Sequence, residues 1–139
     1  MSTRETPTLI AIVDDDESVR SALEEMMQEA GFATFAFASA EEFLDSARKG
    51  QTACLITDIR MPGISGLELQ SRLNATRQKI PIIFITAHGD EDLRLQALRA
   101  GAVEFLAKPF EDAQLLDGVR AALNHLRPMP SGASPEVFE

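Results

Sequence analysis

Cysteine is nearly missing. Cys54 is the single one in 139 residues, so no disulfide forms within the chain, and its place inside an apolar run reads as core rather than as a redox centre. Histidine is almost as scarce: His88 and His125 stand alone, and no Cys/His set exists to hold zinc. Basic residues are outnumbered, 13 Lys and Arg against 22 Asp and Glu, for a formal charge of −9. They form no block, so a nucleic-acid backbone meets net repulsion. This argues against direct nucleic-acid binding and favours cations and basic protein surfaces as partners. No apolar run is long enough to cross a bilayer, and the first eight residues, Met1 to Thr8, lack the apolar stretch of a signal peptide. The expectation is a cytoplasmic chain without a membrane partner.

What is present is enough apolar sequence for one core. At 139 residues and 45% apolar, the chain has the size of one ordinary globular domain. Cys54-Leu55-Ile56-Thr57-Asp58 is a short apolar run that reaches a carboxylate and then meets Pro62-Gly63, where neither strand nor helix continues. Asp58 is thereby placed at the C-terminal end of a strand. Three other runs close in the same manner. Leu9 to Val13 ends in Asp14-Asp15-Asp16, Ile82 to Ile85 ends in Thr86, and Val103 to Ala107 ends in Lys108-Pro109.

Helical patterns fill the intervals. Asp16 or a neighbour caps a helix to about residue 30 with Val19, Leu23, Met26, Met27 and Ala30 inward, and Gly31 stops it. Phe32 to Phe37 reads as a second strand. Ser39 with Glu42 forms a capping box for a helix running to about Lys49. Ser65 starts a helix carrying Leu67, Leu69 and Leu73. Asp90 caps another with Leu93, Leu95, Ala97 and Leu98, ended by Gly101, and a last one from about Glu111 to Leu126 presents Leu115, Leu116, Val119 and Leu123. Five strands alternating with five helices predict an α/β fold: a single doubly wound five-stranded parallel sheet, flavodoxin-like, in the order 2-1-3-4-5. That order sets the aspartate-bearing ends of strands one and three beside the switch point. Residues 1–127 are expected to form the domain, and 128–139, rich in Pro, Ser and Gly, a flexible tail or the start of a linker.

Carboxylates gathered on one sheet edge repel one another, by roughly 3 kcal/mol for a pair about 5 Å apart at an effective dielectric of 20. A divalent cation or a raised pKa must answer for Asp14, Asp15 and Asp58. All-oxygen ligation by a few carboxylates is what magnesium prefers. Lys108 adds a fixed positive charge and Thr86 a hydroxyl donor. A carboxylate nucleophile with these companions describes phosphoryl transfer onto Asp58, giving an aspartyl phosphate.

Val13-Asp14-Asp15-Asp16, Thr57-Asp58-Ile59-Arg60-Met61-Pro62, Ile85-Thr86-Ala87 and Ala107-Lys108-Pro109-Phe110 lie in the order and at the comparable spacing of a known set. The chain resembles, over about residues 8 to 126, the receiver domain of bacterial two-component response regulators. Asp58-Ile59-Arg60-Met61-Pro62, His88-Gly89-Asp90 and Ala100 to Phe105 are similar to the branch of nitrogen-fixation regulators, whose members often carry a helix-turn-helix output domain. The resemblance implies that Asp58 receives phosphate from a sensor histidine kinase or a phosphotransfer protein. It implies Mg2+, for which Mn2+ substitutes, bound by Asp15, Asp58 and the backbone carbonyl of Arg60, with Asp14 acting through water. Thr86 would then hydrogen-bond the phosphoryl group, and Lys108 would pair with it beside a cis bond to Pro109. The Phe105 ring would turn inward on activation, remodelling the face of helix four, strand five and helix five, and homodimers would form through helix four and strand five on phosphorylation. The family most often has Tyr where Phe105 stands, so a phenolic hydroxyl has no part in the signal here.

Each residue also has a plainer reading. Acidic residues after a strand cap helices, although three in a row exceed what a cap needs. Thr86 alone is a turn hydroxyl, Lys108 a solvated charge and Phe105 a core ring. His88 tunes phosphate lifetime in the family or is merely an exposed loop residue, and His125 sits favourably near a helix C-terminus. Three other functions share this fold. A phosphate-independent adaptor would be expected to have lost part of the site. A phosphatase would want an Asp where Arg60 stands, and a flavin carrier would want a Ser/Thr-rich loop where the three aspartates stand.

Overall fold

The computed structural model describes residues 8–87 and 90–126. Strands β1 (Leu9–Val13), β2 (Ala33–Phe37), β3 (Cys54–Asp58), β4 (Ile82–Thr86) and β5 (Glu104–Ala107) alternate with helices α1 (Glu17–Glu29), α2 (Ala40–Leu44), α3 (Gly66–Ala75), α4 (Glu91–Arg99) and α5 (Asp112–Leu126). The strands pair in parallel in the order β2-β1-β3-β4-β5. This is the expected doubly wound sheet.

Strand alternation sorts the core into two layers. Ala11, Val13, Leu55, Phe84 and Phe105 face one layer with Phe43, Leu69 and Leu73. Ile10, Ile12, Ile56, Ile83, Ile85 and Leu106 face the other with Leu23, Met27, Leu115 and Val119. Both faces are covered, which is why β1 and β4 are buried along their whole length. Cys54 belongs to the second layer, and burial pushes its thiol up to about 12, as suits a core residue.

The helix starts follow the expected caps. Asp16 accepts from the Ser18 and Val19 amides, Ser39 from Glu42, Ser65 from Glu68, and Asp90 from Asp92 and Leu93. Glu42 accepts from the Ala38 amide at 3.0 Å, one residue before the Ser39 cap.

One expectation needs correction. The second helix stops at Leu44 rather than near Lys49, and a 3-10 turn occupies Lys49–Gln51. The Ser46 hydroxyl accepts from the Arg48 amide at 2.9 Å, a local bond that competes with helix continuation. The Arg48 guanidinium lies over the Phe35 ring, 4.4 Å from its centroid. On α4, Leu95 is exposed and only Ala97 is fully buried. A polar residue, Gln70 of α3, takes a core position instead, donating to the Ala97 carbonyl at 3.0 Å. Among the described residues, no helix is long and apolar enough to cross a membrane. His88 and the 128–139 segment lie outside the described residues, and the His125 side chain is likewise not described.

Candidate functional site

The C-terminal ends of β1 and β3 lie side by side, with Ile12 opposite Ile56 and Val13 opposite Thr57. The aspartates beyond them therefore meet. One carboxylate oxygen from each of Asp14, Asp15 and Asp58 lies within 4.8 Å of the other two. Asp14 is buried, Asp58 half-buried and Asp15 exposed, so the cluster grades from core to solvent.

Asp14 is held from several sides. Its Oδ1 accepts from the Asp16 amide at 2.9 Å, its amide donates to the Phe37 carbonyl at 3.1 Å, and its carbonyl accepts from the Arg20 guanidinium at 2.8 Å. Its Oδ2 is buried with no hydrogen-bond partner, and Lys108 Nζ stands 3.9 Å from it. Burial raises the Asp14 carboxyl above its ordinary 3.8. The Asp16 amide and Lys108 oppose that rise, and the charges of Asp58 and Asp15 add to it. Asp58 is shifted the same way, chiefly by burial, against the pull of Lys108 and of the Ile59 and Arg60 amides. Those two amides bond its Oδ1 at 2.7 and 3.4 Å. Asp16 behaves differently: hydrogen bonds from the Ser18 hydroxyl and amide hold it below the ordinary value, as befits a cap rather than a site residue.

The other two strand ends complete the edge. The Lys108 amide donates to the Thr86 carbonyl at 2.7 Å, tying the end of β5 to the end of β4, and the Lys108–Pro109 bond is cis. Thr86 is buried, on the same strand face as Phe84. Phe105, paired with Phe84 across the ladder, already has its ring inward, 6.4 Å from the Phe84 ring and 9% exposed. Asp14, Asp15, Asp58 and Lys108 thus share one small region. Thr86 borders it, Phe105 lies in the core behind it, and the Arg60 side chain is exposed.

The donor set fits a hard divalent cation. It offers oxygen alone, from three carboxylates, and it includes a buried carboxylate oxygen left without a partner.

The model of the response regulator receiver domain matches residues 10–120. The chain belongs to that family. TodT of Pseudomonas putida, a response regulator protein, is 42% identical over 132 residues, spanning 95% of the receiver chain and 58% of TodT. The transcriptional regulatory protein FixJ of Rhizobium meliloti is 43% identical over 121 residues, 87% of the receiver chain and 59% of FixJ. The crystal structure of FixJ-N superimposes with a TM-score of 0.81 at 41% identity, covering 90% of the receiver chain and all (100%) of FixJ-N. The receiver thus spans somewhat under two thirds of the curated relatives' length. The fold, the parallel order and the general role of a receiver in two-component signalling follow from this membership.

One residue of the site's surroundings carries no sequence signal. Glu41, in the first turn of α2, bonds the Ile64 amide at 3.2 Å across 23 residues. Its acidic position looks like ordinary dipole complementation, and only the fold brings it to this loop.

Proposed function

We propose that this receiver is a phosphorylation-controlled switch whose phosphoacceptor is Asp58. The observation that carries this reading is the meeting of Asp14, Asp15 and Asp58 at the ends of adjacent strands with Lys108 beside them. An Asp58 carboxylate oxygen attacks the phosphorus of a phosphohistidine on a sensor histidine kinase or phosphotransfer protein. The new O–P bond forms as the N–P bond breaks, and the imidazole departs with the bonding pair. Lys108 counters the charge on the phosphoryl oxygens, and the Thr86 hydroxyl donates to one of them. Asp15, Asp58 and the Arg60 carbonyl would hold Mg2+, or Mn2+ in its place, with Asp14 acting through water. When bound, the ion supplies positive charge that offsets the carboxylates and the phosphoryl group.

The buried Asp14 and half-buried Asp58, the nearby lysine and the absence of a second Asp at position 60 favour a receiver whose only chemistry is its own phosphorylation and dephosphorylation. Drawing Thr86 toward the phosphate would fix Phe105 in its inward packing and alter the surface of α4, β5 and α5. Exposed Leu95 lies on that surface and supports homodimerisation there on phosphorylation, which sedimentation of the two forms would check. Residues 1–127 are assigned to the receiver and 128–139 to a tail or linker, with a cytoplasmic location. The printed roles of TodT and FixJ point to regulation of a partner or output domain. The test is incorporation from acetyl phosphate. With Mg2+ the chain gains one acid-labile phosphate, whereas Asp58→Asn, or the wild type in EDTA, gains none. Full labelling of Asp58→Asn would contradict the assignment.

A further inference from the structure

The β3–α3 loop, residues 59–65, is pinned at its root from within. The Ile59 and Arg60 amides bond Asp58 Oδ1, the Gly66 amide donates to the Ile59 carbonyl at 2.8 Å, and Met61 is buried. A Cβ on Gly66 would run into the Asp58 carbonyl, so the root sits hard against β3. The tip has a different anchor. Glu41 of α2 accepts from the Ile64 amide at 3.2 Å, and its carboxylate packs on the bare α-carbon of Gly63, where a Cβ would lie 2.5 Å from Oε2. Gly63 also has φ +78°, a backbone conformation that favours glycine, and a Cβ there would push the Glu41 carboxylate aside.

We infer that Glu41 is a positioning residue for the cation site, clamping the tip of the loop and so limiting the freedom of the Arg60 backbone. This rests on the reading that the Arg60 carbonyl is a cation ligand. Glu41 acts through the loop and not on the ion. With the clamp gone, the Ile64 amide turns to water and the loop must be ordered when the cation binds, which weakens binding. The acceptor oxygen matters here, not the charge. Glutamine keeps an oxygen for the Ile64 amide, and alanine does not.

The test measures Mn2+ affinity from the electron paramagnetic resonance signal of the free ion, and exchange of the Ile64 amide by NMR, for the full chain and two variants. Glu41→Ala is expected to bind Mn2+ about 3- to 10-fold more weakly, with comparably faster Ile64 exchange, the size of one lost hydrogen bond. Glu41→Gln is expected to stay within about twofold of the wild type. Wild-type affinity in Glu41→Ala would overturn the inference, and so would equal losses in both variants, which would mark a charge effect. A wild type that binds no Mn2+ would remove the cation reading together with the Glu41 inference. Wild-type binding with an unaffected Glu41→Ala would remove only the latter.

Discussion

At the scale of the residue, Asp58 carries two opposed demands. Its Oδ1 is committed to the Ile59 and Arg60 amides, while burial and neighbouring carboxylates make its charged form costly in the cation-free protein. Because the folded protein holds the Asp14 and Asp58 protons more tightly than the unfolded chain does, both groups favour folding at low pH. That contribution is lost as pH rises from 3.8 through their raised folded values. Without divalent cations, Asp58→Asn should therefore match the wild type in acid and exceed its Tm by about 2–5 °C at neutral pH, since asparagine keeps the oxygen that accepts from the two amides. Adding Mg2+ should raise the wild-type Tm more than that of the variant. Calorimetry over pH, with and without Mg2+, checks both, and a Tm difference independent of pH would contradict the account. The aspartates, Thr86 and Lys108 were legible as residues because each follows a short apolar run. Glu41 was not, since nothing local separates it from the acidic first turns of the other helices.

At the scale of the element, strands and caps could be read from the chain because their signals are local: an apolar run, a Ser or Asp, a stopping glycine. The end of α2 could not. Ser46 and Arg48 redirect the backbone through a side-chain bond and a contact with Phe35 on another strand, and periodicity does not register either. The fit of α4 was hidden for a similar reason. Leu95 faces solvent, and α3 holds the C-terminal end of α4 by polar clips, Gln70 to the Ala97 carbonyl and Asn74 to the Ala100 carbonyl at 3.1 Å. Removing the buried clip by Gln70→Ala should lower stability by about 1–2 kcal/mol in urea unfolding. Amide exchange should quicken at the C-terminal end of α4 while that of β1 rises only in step with the loss of global stability. An unchanged α4 would show that apolar contacts alone seat the helix.

At the scale of the whole molecule, the parallel order β2-β1-β3-β4-β5 does what no segment does alone. It brings the ends of four strands, drawn from residues 14 to 108, to one edge. The fold was legible because a strand-helix alternation with right-handed crossovers leaves few topologies, and the order decides that the aspartates of β1 and β3 are neighbours. A charge of −9 adds a general preference for cations to the local one. The central claim is that this convergence makes Asp58 a phosphoacceptor. The most direct measurement is to treat the chain with acetyl phosphate and Mg2+, reduce the product with borohydride, and locate the modified residue by peptide mass spectrometry. Homoserine is expected at position 58, and none in samples prepared without Mg2+. Homoserine at position 14 or 15 with position 58 unmodified would contradict it.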